Sequence, residues 1–354
     1  MRAMILAAGL GERLRPLTSR RAKPSIPLLN RPLILRTLDY LQFHGVRRAV
    51  INLHHLPGSI KDVVMAGRLP RLQIAYSFEA EILGTAGGLK KAESHFKEGG
   101  TLTLINSDFV VDCDLGAALQ AHRRSGALAT MVLVPADPGQ RYGVVEMAED
   151  GPIHRISGRP ETRPGREGHG YTFTGIHLLE PEILDNIQPG IPCCINKDVY
   201  PPLIEAGRAI HGFVHRGQWL EFGTPGLFLE GSFTLLRSGG APPMVVPTVP
   251  APPWIERPFL LGPDCTFGDG ASCTGGLIAG ARLKLGPGAR LQRSIVHDDV
   301  EIGAAAELVD CIVDSGVVLP PGSRLQRAIV VPWSDELSAA CPLQRLGDCG
   351  IAEF

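Results

Sequence analysis

The sequence predicts a doubly wound, Rossmann-like α/β domain followed by a parallel β-helix. Three observations support this prediction: strands alternate with helices from Met4 to Val134, a proline-dense stretch covers 239–258, and the pattern beyond it repeats every six residues. Alternating strands and helices are typical of a parallel sheet that is covered on both faces. A six-residue repeat is typical of short coils, each too small to bury its own apolar face, that stack into a β-helix.

The first domain alternates apolar runs with glycine-containing turns. In the stretch PLILRTLDYLQF the apolar residues recur at helical spacing and stop at His44-Gly45, and the strand AVINL follows at once. We predict strands over 4–8, 49–53, 72–76, 101–105 and 129–134, and helices over 32–43, 58–66, 86–96 and 115–125. The next segment is less regular, with a hairpin over 142–156, a strand near 171–178 and a helix near 199–205, so we expect the sheet to become mixed.

The chain divides into four predicted regions: an α/β domain over 1–238, a linker over 239–258, a β-helix over 259–331, and a cap or loose tail over 332–354. The linker is assigned because proline can serve neither inside a helix nor in a central strand. The six-residue period is followed by Leu261, Phe267, Cys273, Ala279, Leu285 and Leu291, and it resumes after slips at Ile302, Leu308, Leu319 and Leu325.

The composition excludes several classes of function. At 354 residues, with 44% apolar and 20% charged residues, the chain is typical of a soluble two-domain protein, and its net charge of −1 offers no basic surface for nucleic acid. The eight cysteines include no C-x-x-C pair, so we expect reduced thiols and a cytoplasmic protein. The apolar start is short and soon followed by charges, which argues against a signal peptide, and no segment approaches a membrane span.

The opening stretch has the outline of a phosphate site. A short strand breaks into Gly9-Leu10-Gly11, and the cations Arg13, Arg15 and Lys23 follow. Glycines let backbone N–H groups approach an anion closely, and a helix that starts after such a turn points its positive end to the same place. Two glycines alone would favour an ordinary turn, but three cations nearby favour a phosphate ligand.

Two acids are candidates for a magnesium site. Asp108 ends the strand TLTLI in Asn106-Ser107-Asp108, and Glu221 lies in WLEFGTP. Mg²⁺ is typically held by one or two carboxylates together with substrate phosphates. Each acid alone would be ordinary, Asp108 as a turn or capping residue and Glu221 on the surface.

These motifs together resemble those of the sugar-1-phosphate nucleotidyltransferases, the NDP-sugar pyrophosphorylases, and most closely the mannose-1-phosphate guanylyltransferases. The resemblance covers the first two thirds of the chain and rests on AAGLGERLRPLT with KP, LGTAGG, NSD, YGVVEMAEDG, TGIHLL and WLEFGTP, in this order. The six-residue repeat extends it, because several branches of the family end in a left-handed β-helix. It implies that a nucleotidyl group passes from a nucleoside triphosphate to a sugar 1-phosphate, with release of pyrophosphate and with Mg²⁺ as cofactor.

The resemblance also implies roles for individual residues. The implied catalytic residues are Arg13, Lys23, Asp108 and Glu221, of which Asp108 and Glu221 are the implied Mg²⁺ ligands. The implied nucleotide-binding residues are Leu6, Ala8, Gly9, Gly11, Glu79, Gly84, Thr85, Ala86 and Gly87. The implied sugar-phosphate site contains Gly143, Arg159, Thr174 and Gly175.

The choice of substrates depends on a few positions. A carboxylate at Glu79 can accept hydrogen bonds from two donors on the edge of guanine but from only one on uracil or thymine, which favours GTP; alternatively, Glu79 is solvated and the backbone selects the base. The family usually has Glu-Lys-Pro where this chain has Gly158-Arg159-Pro160, and aspartate where Glu221 stands. We therefore expect GTP and mannose 1-phosphate, with a glucose-1-phosphate thymidylyl- or uridylyltransferase as the alternative.

Two other classes of function stay open at this stage. A regulatory subunit would bind a nucleotide sugar without turnover, although such relatives tend to lose the arginine at the position of Arg13. The β-helix would be an acyltransferase only if it supplied a base, and His297 is the one candidate. We expect instead that the β-helix forms a homo-oligomer or a cap.

Overall fold

A computed structural model of the chain describes residues 1–96, 99–136, 143–149, 151–161, 170–241, 243–244 and 254–354. The chain packs as two compact units. The first, called the sheet unit here, contains Met1–Gly9, Thr37–Pro57 and Ala66–Trp219, and the second, the coil unit, contains Leu10–Arg36, Gly58–Met65 and Leu220–Phe354. The domain boundary at 238 and the linker over 239–258 stay predictions, because 242 and 245–253 lie outside the described residues.

A mixed β-sheet forms the centre of the sheet unit. Its strand order is Ile153–Ile156, Val144–Met147, Tyr171–Leu179, Leu102–Asn106, Arg2–Leu6, Arg48–Leu53 and Gln73–Phe78, and Ala129–Pro135 lies between Tyr171–Leu179 and Ile210–Val214. The strands that this sheet takes from residues 2–106 pair in parallel, whereas Tyr171–Leu179 runs antiparallel to its neighbours. The predicted mixed α/β sheet is therefore confirmed.

The core of this sheet explains why its central strands are mainly apolar. Met4, Val50 and Leu104 lie on three adjacent strands and belong to one buried cluster. Parallel strands with helices on both faces bury both of their surfaces, so they lack the alternation of polar residues that a half-exposed strand shows. Helices in this part of the sequence span residues Leu33–Phe43, Pro57–Ala66, Gly84–Lys91, Leu115–Ser125 and Tyr200–Glu205.

Some element boundaries differ from the predictions. The helix predicted over 86–96 ends at Lys91, because Ala92 leaves the helical conformation. One turn of 3-10 helix, Glu93–His95, follows it. The predicted hairpin consists of Val144–Met147 and Ile153–Ile156, while Tyr142 lies outside the described residues. The sequence analysis missed the strand Ile210–Val214 and the helix Pro225–Ser238.

Stacked parallel coils form most of the coil unit. One ladder contains Phe259–Leu261, Ser272–Ala279, Arg290–Val296, Glu307–Val309, Ile312–Val313, Arg324–Gln326 and Ala328–Pro332, and a second contains Thr266–Phe267, Lys284–Leu285, Glu301–Ile302 and Val318–Leu319. The family of inward residues predicted from the period is largely buried, including Cys273, Leu291 and Leu308. Hexapeptide coils with parallel strands are therefore confirmed, and their handedness stays a prediction.

The slips in the six-residue period have a structural cause. In the first coil Phe259 pairs with Leu277, eighteen residues on, whereas Arg290 pairs with Glu307, seventeen residues on. The change occurs at a bulge between Thr274 and Leu277, where a coil of three hexapeptides loses one residue. Later coils keep the shorter register, so the period resumes one residue out of step.

The last residues fold as an ordered end to this ladder. The helix Asp335–Ala340 is followed by a hairpin of Gln344–Leu346 and Cys349–Glu353, and the second of these strands pairs antiparallel with Ala328–Pro332. Edge strands of a sheet are often blocked in this way. All eight cysteines carry free thiols, and none of the helices within the described ranges is long and apolar enough to cross a membrane.

Candidate active site

The ends of two central strands meet where the strand order of the sheet reverses. Leu6 pairs in register with Asn106, and the hydroxyl of Ser107 donates a 2.7 Å hydrogen bond to the carbonyl of Leu6. Open α/β sheets bind ligands beyond the carboxyl ends of their strands at such a reversal. The structure thus brings the predicted loops after Leu6 and after Asn106, the second of which contains the half-buried Asp108, to one edge of the sheet.

Gly9 is placed where packing does not require a glycine. A Cβ atom added at Gly9 would meet no heavy atom of the described residues within 4 Å. The space over this backbone is therefore open, as a close approach by a phosphate requires. The preceding Ala8 is buried, and the amide of Ala7 donates to Oδ1 of Asn52 at 2.6 Å.

A buried chain of hydrogen bonds connects the two predicted glycine turns. Nδ2 of Asn52 donates to Oε1 of Glu79 at 2.7 Å, and the amide of Leu83 donates to Oε2 at 2.9 Å. Glu79 is completely buried and Asn52 is 2% exposed. Both carboxylate oxygens of Glu79 are thus engaged inside the fold, which favours a supporting role over the predicted contact with a base and excludes the solvated alternative. The sequence analysis missed Asn52, which has no motif of its own.

The LGTAGG turn is packed tightly against a neighbouring segment. The amides of Ala86 and Gly87 both donate to the carbonyl of Cys193, at 2.9 and 3.3 Å, and Oγ1 of Thr85 accepts from the amide of Ile195 at 2.8 Å. Gly84 has a φ of +71°, and a Cβ atom there would lie 2.6 Å from the carbonyl oxygen of Cys193. These glycines therefore serve the close packing of two backbones, and the amides of Ala86 and Gly87 already have an acceptor within the fold.

Two residues of the predicted sugar-phosphate site, Thr174 and Gly175, lie at an irregularity of the strand Tyr171–Leu179. Oγ1 of Thr174 donates to the carbonyl of Val132 at 2.8 Å, and the indole of Trp219 donates to the carbonyl of Thr174 at 2.9 Å. Gly175 has a φ of +100°, and a Cβ atom there would lie 2.6 Å from the ring of Phe109. Bulges of this kind are frequent next to active sites because they redirect the strand.

The other two residues of the predicted sugar-phosphate site, Gly143 and Arg159, lie at a hairpin. Gly143 leaves no room for a Cβ atom because the hydroxyl of Ser157 stands next to it. Arg159 is exposed, and its backbone pairs with Ile156 through two hydrogen bonds of 2.8 and 3.0 Å. The guanidinium is therefore carried by a rigid turn and is accessible to an anionic ligand.

The coil unit contains the cationic part of the opening motif. Gly11 has a φ of +66°, and a Cβ atom there would lie 2.9 Å from a methyl group of Thr18 and 3.2 Å from Cβ of Lys23. The hydroxyl of Thr18 donates to the carbonyl of Gly11 at 2.8 Å. Lys23 is 9% exposed and begins the 3-10 turn Lys23–Ser25. The glycine is required here because the loop folds back tightly on the segment with the lysine.

Arg13 and Glu221 form an ion pair within the same unit. Nη2 of Arg13 lies 3.3 Å from Oε1 of Glu221, and the side chains are 62% and 11% exposed. A Cβ atom at Gly223 would lie 2.8 Å from Nη2 of Arg13 and closer still to Oε1 of Glu221, so the glycine makes room for the pair. The exposed guanidinium stays accessible to a phosphate.

No group of three or more His, Cys, Asp and Glu side chains that would hold a metal ion occurs in the described part of the chain. The two predicted ligands, Asp108 and Glu221, still suit Mg²⁺, since carboxylate oxygens are its preferred donors and phosphates complete its coordination. His297, the candidate base of the β-helix, is 3% exposed and its Nδ1 lies 3.2 Å from Oδ1 of Asp314. A buried imidazole in such a contact is not placed to act on a solvent-borne substrate.

Comparison with known proteins identifies the class of the chain. A family model described as nucleotidyl transferase matches residues 2–238, and a model described as GlmU-like, C-terminal hexapeptide matches residues 263–327. These two matches define a nucleotidyltransferase with a hexapeptide-repeat region. The chain belongs to the nucleotidyl transferase family, and the resemblance predicted from its motifs is confirmed.

Two curated relatives match most of this chain. It is 30% identical to a UTP–glucose-1-phosphate uridylyltransferase of Synechocystis sp. over 342 residues, which cover 88% of this chain and 87% of the relative. It is 27% identical to a mannose-1-phosphate guanylyltransferase of Mycobacterium tuberculosis over 303 residues, which cover 85% and 81%. Among solved structures, HddC from Yersinia pseudotuberculosis matches 66% of this chain and 99% of its own at 22% identity, with a TM-score of 0.57 that shows the shared fold.

Proposed function

We propose that the protein is a mannose-1-phosphate guanylyltransferase, which forms an NDP-sugar and pyrophosphate from GTP and mannose 1-phosphate. The observation that carries this proposal is the register of Leu6 with Asn106, since the predicted phosphate loop and the loop with the predicted Mg²⁺ ligand Asp108 both begin where the strand order reverses. The curated relatives include both guanylyl- and uridylyltransferases of sugar 1-phosphates. The reaction needs a site that brings two polyanions together, and the cations Arg13, Lys23 and Arg159 suit that task.

The chain's own residues supply most of the catalysis in this proposal. An oxygen of the sugar phosphate attacks the α-phosphorus in line, and pyrophosphate leaves with its electrons. Arg13 binds the departing β- and γ-phosphates, and Lys23 neutralises charge at the α-phosphoryl group. Because Gly11 and Thr18 fix the loop between these cations, little reorganisation is needed when charge develops.

We propose Mg²⁺ as the cofactor, with Asp108 and Glu221 as its protein ligands. Bound Mg²⁺ neutralises phosphate charge and orients the reacting groups. Glu221 already lies beside the cation Arg13, so its carboxylate is kept close to positive charge. The remaining donors would be phosphate oxygens and water, which Mg²⁺ retains readily.

The choice of base rests on an indirect argument. Glu79 is buried behind the LGTAGG turn, so we propose that it fixes the backbone of the turn and that backbone groups other than the engaged amides of Leu83, Ala86 and Gly87 read the base. A uridylyltransferase that uses glucose 1-phosphate is the second candidate, because the Synechocystis relative with that name matches 88% of this chain, including the coil region.

A substrate matrix tests both candidates. Each of GTP, UTP, dTTP and ATP is combined with mannose, glucose and N-acetylglucosamine 1-phosphates and Mg²⁺, and pyrophosphate release is measured. We expect the highest kcat/KM for GTP with mannose 1-phosphate. A maximum for UTP with glucose 1-phosphate would replace the first candidate by the second. Release from no pair, with tight binding of an NDP-sugar, would establish the regulatory alternative.

We further propose the finer features of the family for the coil unit. The coils wind left-handed, and the β-helix joins copies of the chain into a homo-oligomer in the cytoplasm. The free thiols of all eight cysteines are consistent with a reducing compartment. Sedimentation of the full chain tests the oligomer, and a single species at the mass of one chain would reject it.

A further inference from the structure

A completely buried carboxylate of the β-helix holds two arginines of the opening motif. Oδ2 of Asp314 lies 2.5 Å from Nη1 of Arg20, and Oδ1 lies 2.9 Å from Nη2 of Arg21. Asp314 has no exposed side-chain surface, while Arg20 and Arg21 are 33% and 22% exposed. Nη1 of Arg20 also donates to the carbonyl of Ser315 at 3.3 Å. All four residues belong to the coil unit.

A histidine from the preceding coil completes the cluster. Nδ1 of His297 lies 3.2 Å from Oδ1 of Asp314, seventeen residues away and one coil earlier. Its Nε2 is buried and has no hydrogen-bond partner within the described part of the chain. Burial acts to raise the pKa of Asp314, but the hydrogen bond and charge of His297, with the charges of Arg21 and Arg20, outweigh it and lower the pKa to about 2. The carboxylate is therefore ionised at neutral pH.

The two arginines lie in the opening motif, between Arg13 and Lys23. Arg20 ends the short helix Leu17–Arg20, whose Thr18 donates to the carbonyl of Gly11. Two residues after Arg21 comes Lys23, which begins its own turn. A group that fixes Arg20 and Arg21 thus fixes the backbone between Arg13 and Lys23.

We propose that Asp314 is a positioning residue for nucleotidyl transfer: through Arg20 and Arg21, the β-helix holds the opening loop in the conformation that presents Arg13 and Lys23 to the triphosphate. The role of Asp314 in catalysis rests on the proposed function, but its role in ordering the loop does not. Asp314 contacts no substrate and acts only through the two arginines. The β-helix thereby contributes to the reaction beyond any part in assembly.

The ion pair of Arg282 and Asp299 in the β-helix does not share this geometry. Arg282 and Asp299 are 51% and 57% exposed and both belong to the ladder itself. Exposed pairs contribute little free energy because water competes for both charges. The cluster at Asp314 is different because a buried charge that loses its partners is costly, so its arginines are held firmly. A further link, from Nδ2 of Asn30 to the carbonyl of Ala279 at 2.7 Å, ties the same segment to the ladder.

The kinetic test compares Asp314→Asn with the control Asp299→Asn. We expect Asp314→Asn to raise KM for the nucleoside triphosphate and lower kcat, with a combined loss in kcat/KM of about 10- to 100-fold, since small misplacements of binding groups have effects of that size. Asp299→Asn should stay within about twofold. Unchanged kinetics in a folded Asp314→Asn variant would overturn the catalytic role.

A double-mutant cycle with Arg21→Gln identifies the route of the effect. If Asp314 acts through the arginine, the double variant should be no worse than the more damaged single variant. Independent, additive losses would show that Asp314 acts by another route and would overturn the proposal. If Asp314→Asn fails to fold, Arg20→Gln and Arg21→Gln provide the test. Unchanged kinetics in both variants would contradict the proposal.

Hydrogen exchange separates this inference from the proposed function. The amides of Leu14, Ser19 and Ser25 are hydrogen-bonded within the loop. We expect them to exchange at least 10-fold faster in Asp314→Asn, with no change in the helix Leu115–Ser125 of the sheet unit. Equal loop exchange in wild type and variant would overturn the inference even in an active enzyme. Faster exchange in a protein that releases no pyrophosphate would reject the proposed function alone.

Discussion

The guanidinium of Arg13 and the carboxylate of Glu221 contact each other at 3.3 Å although 208 residues separate them in the chain. The arginine is mostly exposed, whereas the glutamate is 11% exposed. In the proposed mechanism, the pair sets a cation that binds phosphate next to a carboxylate that binds a metal ion, which are the two kinds of group that phosphoryl transfer requires. Each group also restrains the other, so single substitutions at either position should affect both tasks.

Replacement of Arg13 by alanine should abolish most pyrophosphate release while leaving the fold intact. The loss of one charge-stabilising group typically costs about 100- to 1,000-fold in kcat. Steady-state kinetics and the thermal midpoint measure the two effects. Arg290→Ala is the control, because Arg290 is an exposed cation of the ladder whose pair with Glu307 at 3.8 Å lies outside the opening motif. Retained activity in Arg13→Ala would move the triphosphate site elsewhere.

Substitution of the two proposed metal ligands should change the dependence of activity on Mg²⁺. In Asp108→Asn and Glu221→Gln the metal loses a charged donor, so the Mg²⁺ concentration for half-maximal rate should rise on the order of 10- to 100-fold. Titration of the rate with Mg²⁺ measures this shift. Asp62→Asn, at an exposed acid of the helix Pro57–Ala66, is the control and should keep the wild-type curve. A fall in rate without a shift of the Mg²⁺ curve would exclude a ligand role.

The change Glu79→Gln should weaken the fold and reduce activity with every nucleotide to a similar extent. The new amide group would have to face a donor, either Nδ2 of Asn52 or the amide of Leu83. A lost buried hydrogen bond to a charged group costs about 1 to 3 kcal/mol in the free energy of unfolding. Denaturant titration and the ratio of kcat/KM for GTP and UTP measure the outcome, with the exposed Glu81→Gln as control. A loss of kcat/KM with GTP but not with UTP would instead support direct contact between Glu79 and the base.

His177 should make the sheet unit less stable in acid. Burial lowers the pKa of His177 from 6.5 to about 3, and the hydroxyl of Tyr200 lies 2.9 Å from its Nδ1. Between these values the unfolded chain binds a proton that the folded chain does not. The free energy of unfolding should therefore be unaffected above the unfolded pKa and fall by about 1.4 kcal/mol per pH unit below it.

Denaturant midpoints measured from pH 7.5 to 4.5 test this expectation. His177→Gln should flatten the pH dependence in the acidic range, because the titrating group is gone. The exposed His95→Gln should leave the slope unchanged. Equal slopes in wild type and His177→Gln would show that other groups cause the acid sensitivity.

The parts of the fold that follow from local periodicity could be predicted from the sequence. The helix Leu115–Ser125 matches its prediction because Asp114 caps its first turn and Gly126, at a φ of +61°, ends it. The helix Pro225–Ser238 was missed although Thr224 caps its start and Gly239 follows its end. That signal was present in the sequence and lay inside a motif that was interpreted only for its acid.

The contacts that organise the candidate site could not be predicted in the same way. Asn52 and Glu79 are 27 residues apart, and Arg20 and Asp314 are 294 apart. No local pattern distinguishes a buried asparagine or aspartate of this kind from an exposed one, because its partners are set by tertiary packing. The motifs therefore located the loops, whereas only the structure shows which side chains hold them.

The constant seventeen-residue register of the later coils fixes which residue stands at each corner of the β-helix. Gly280, His297 and Asp314 occupy the same corner of successive coils, and each amide bonds a carbonyl sixteen residues ahead. Repeat arrays can change length by whole repeats without disturbing their pairing. Deletion of one seventeen-residue coil between Ala279 and Asp314 would keep every strand paired but bring Val331 to the corner now held by Asp314. The number of coils thus specifies whether the arginines of the opening loop meet a carboxylate or an apolar side chain.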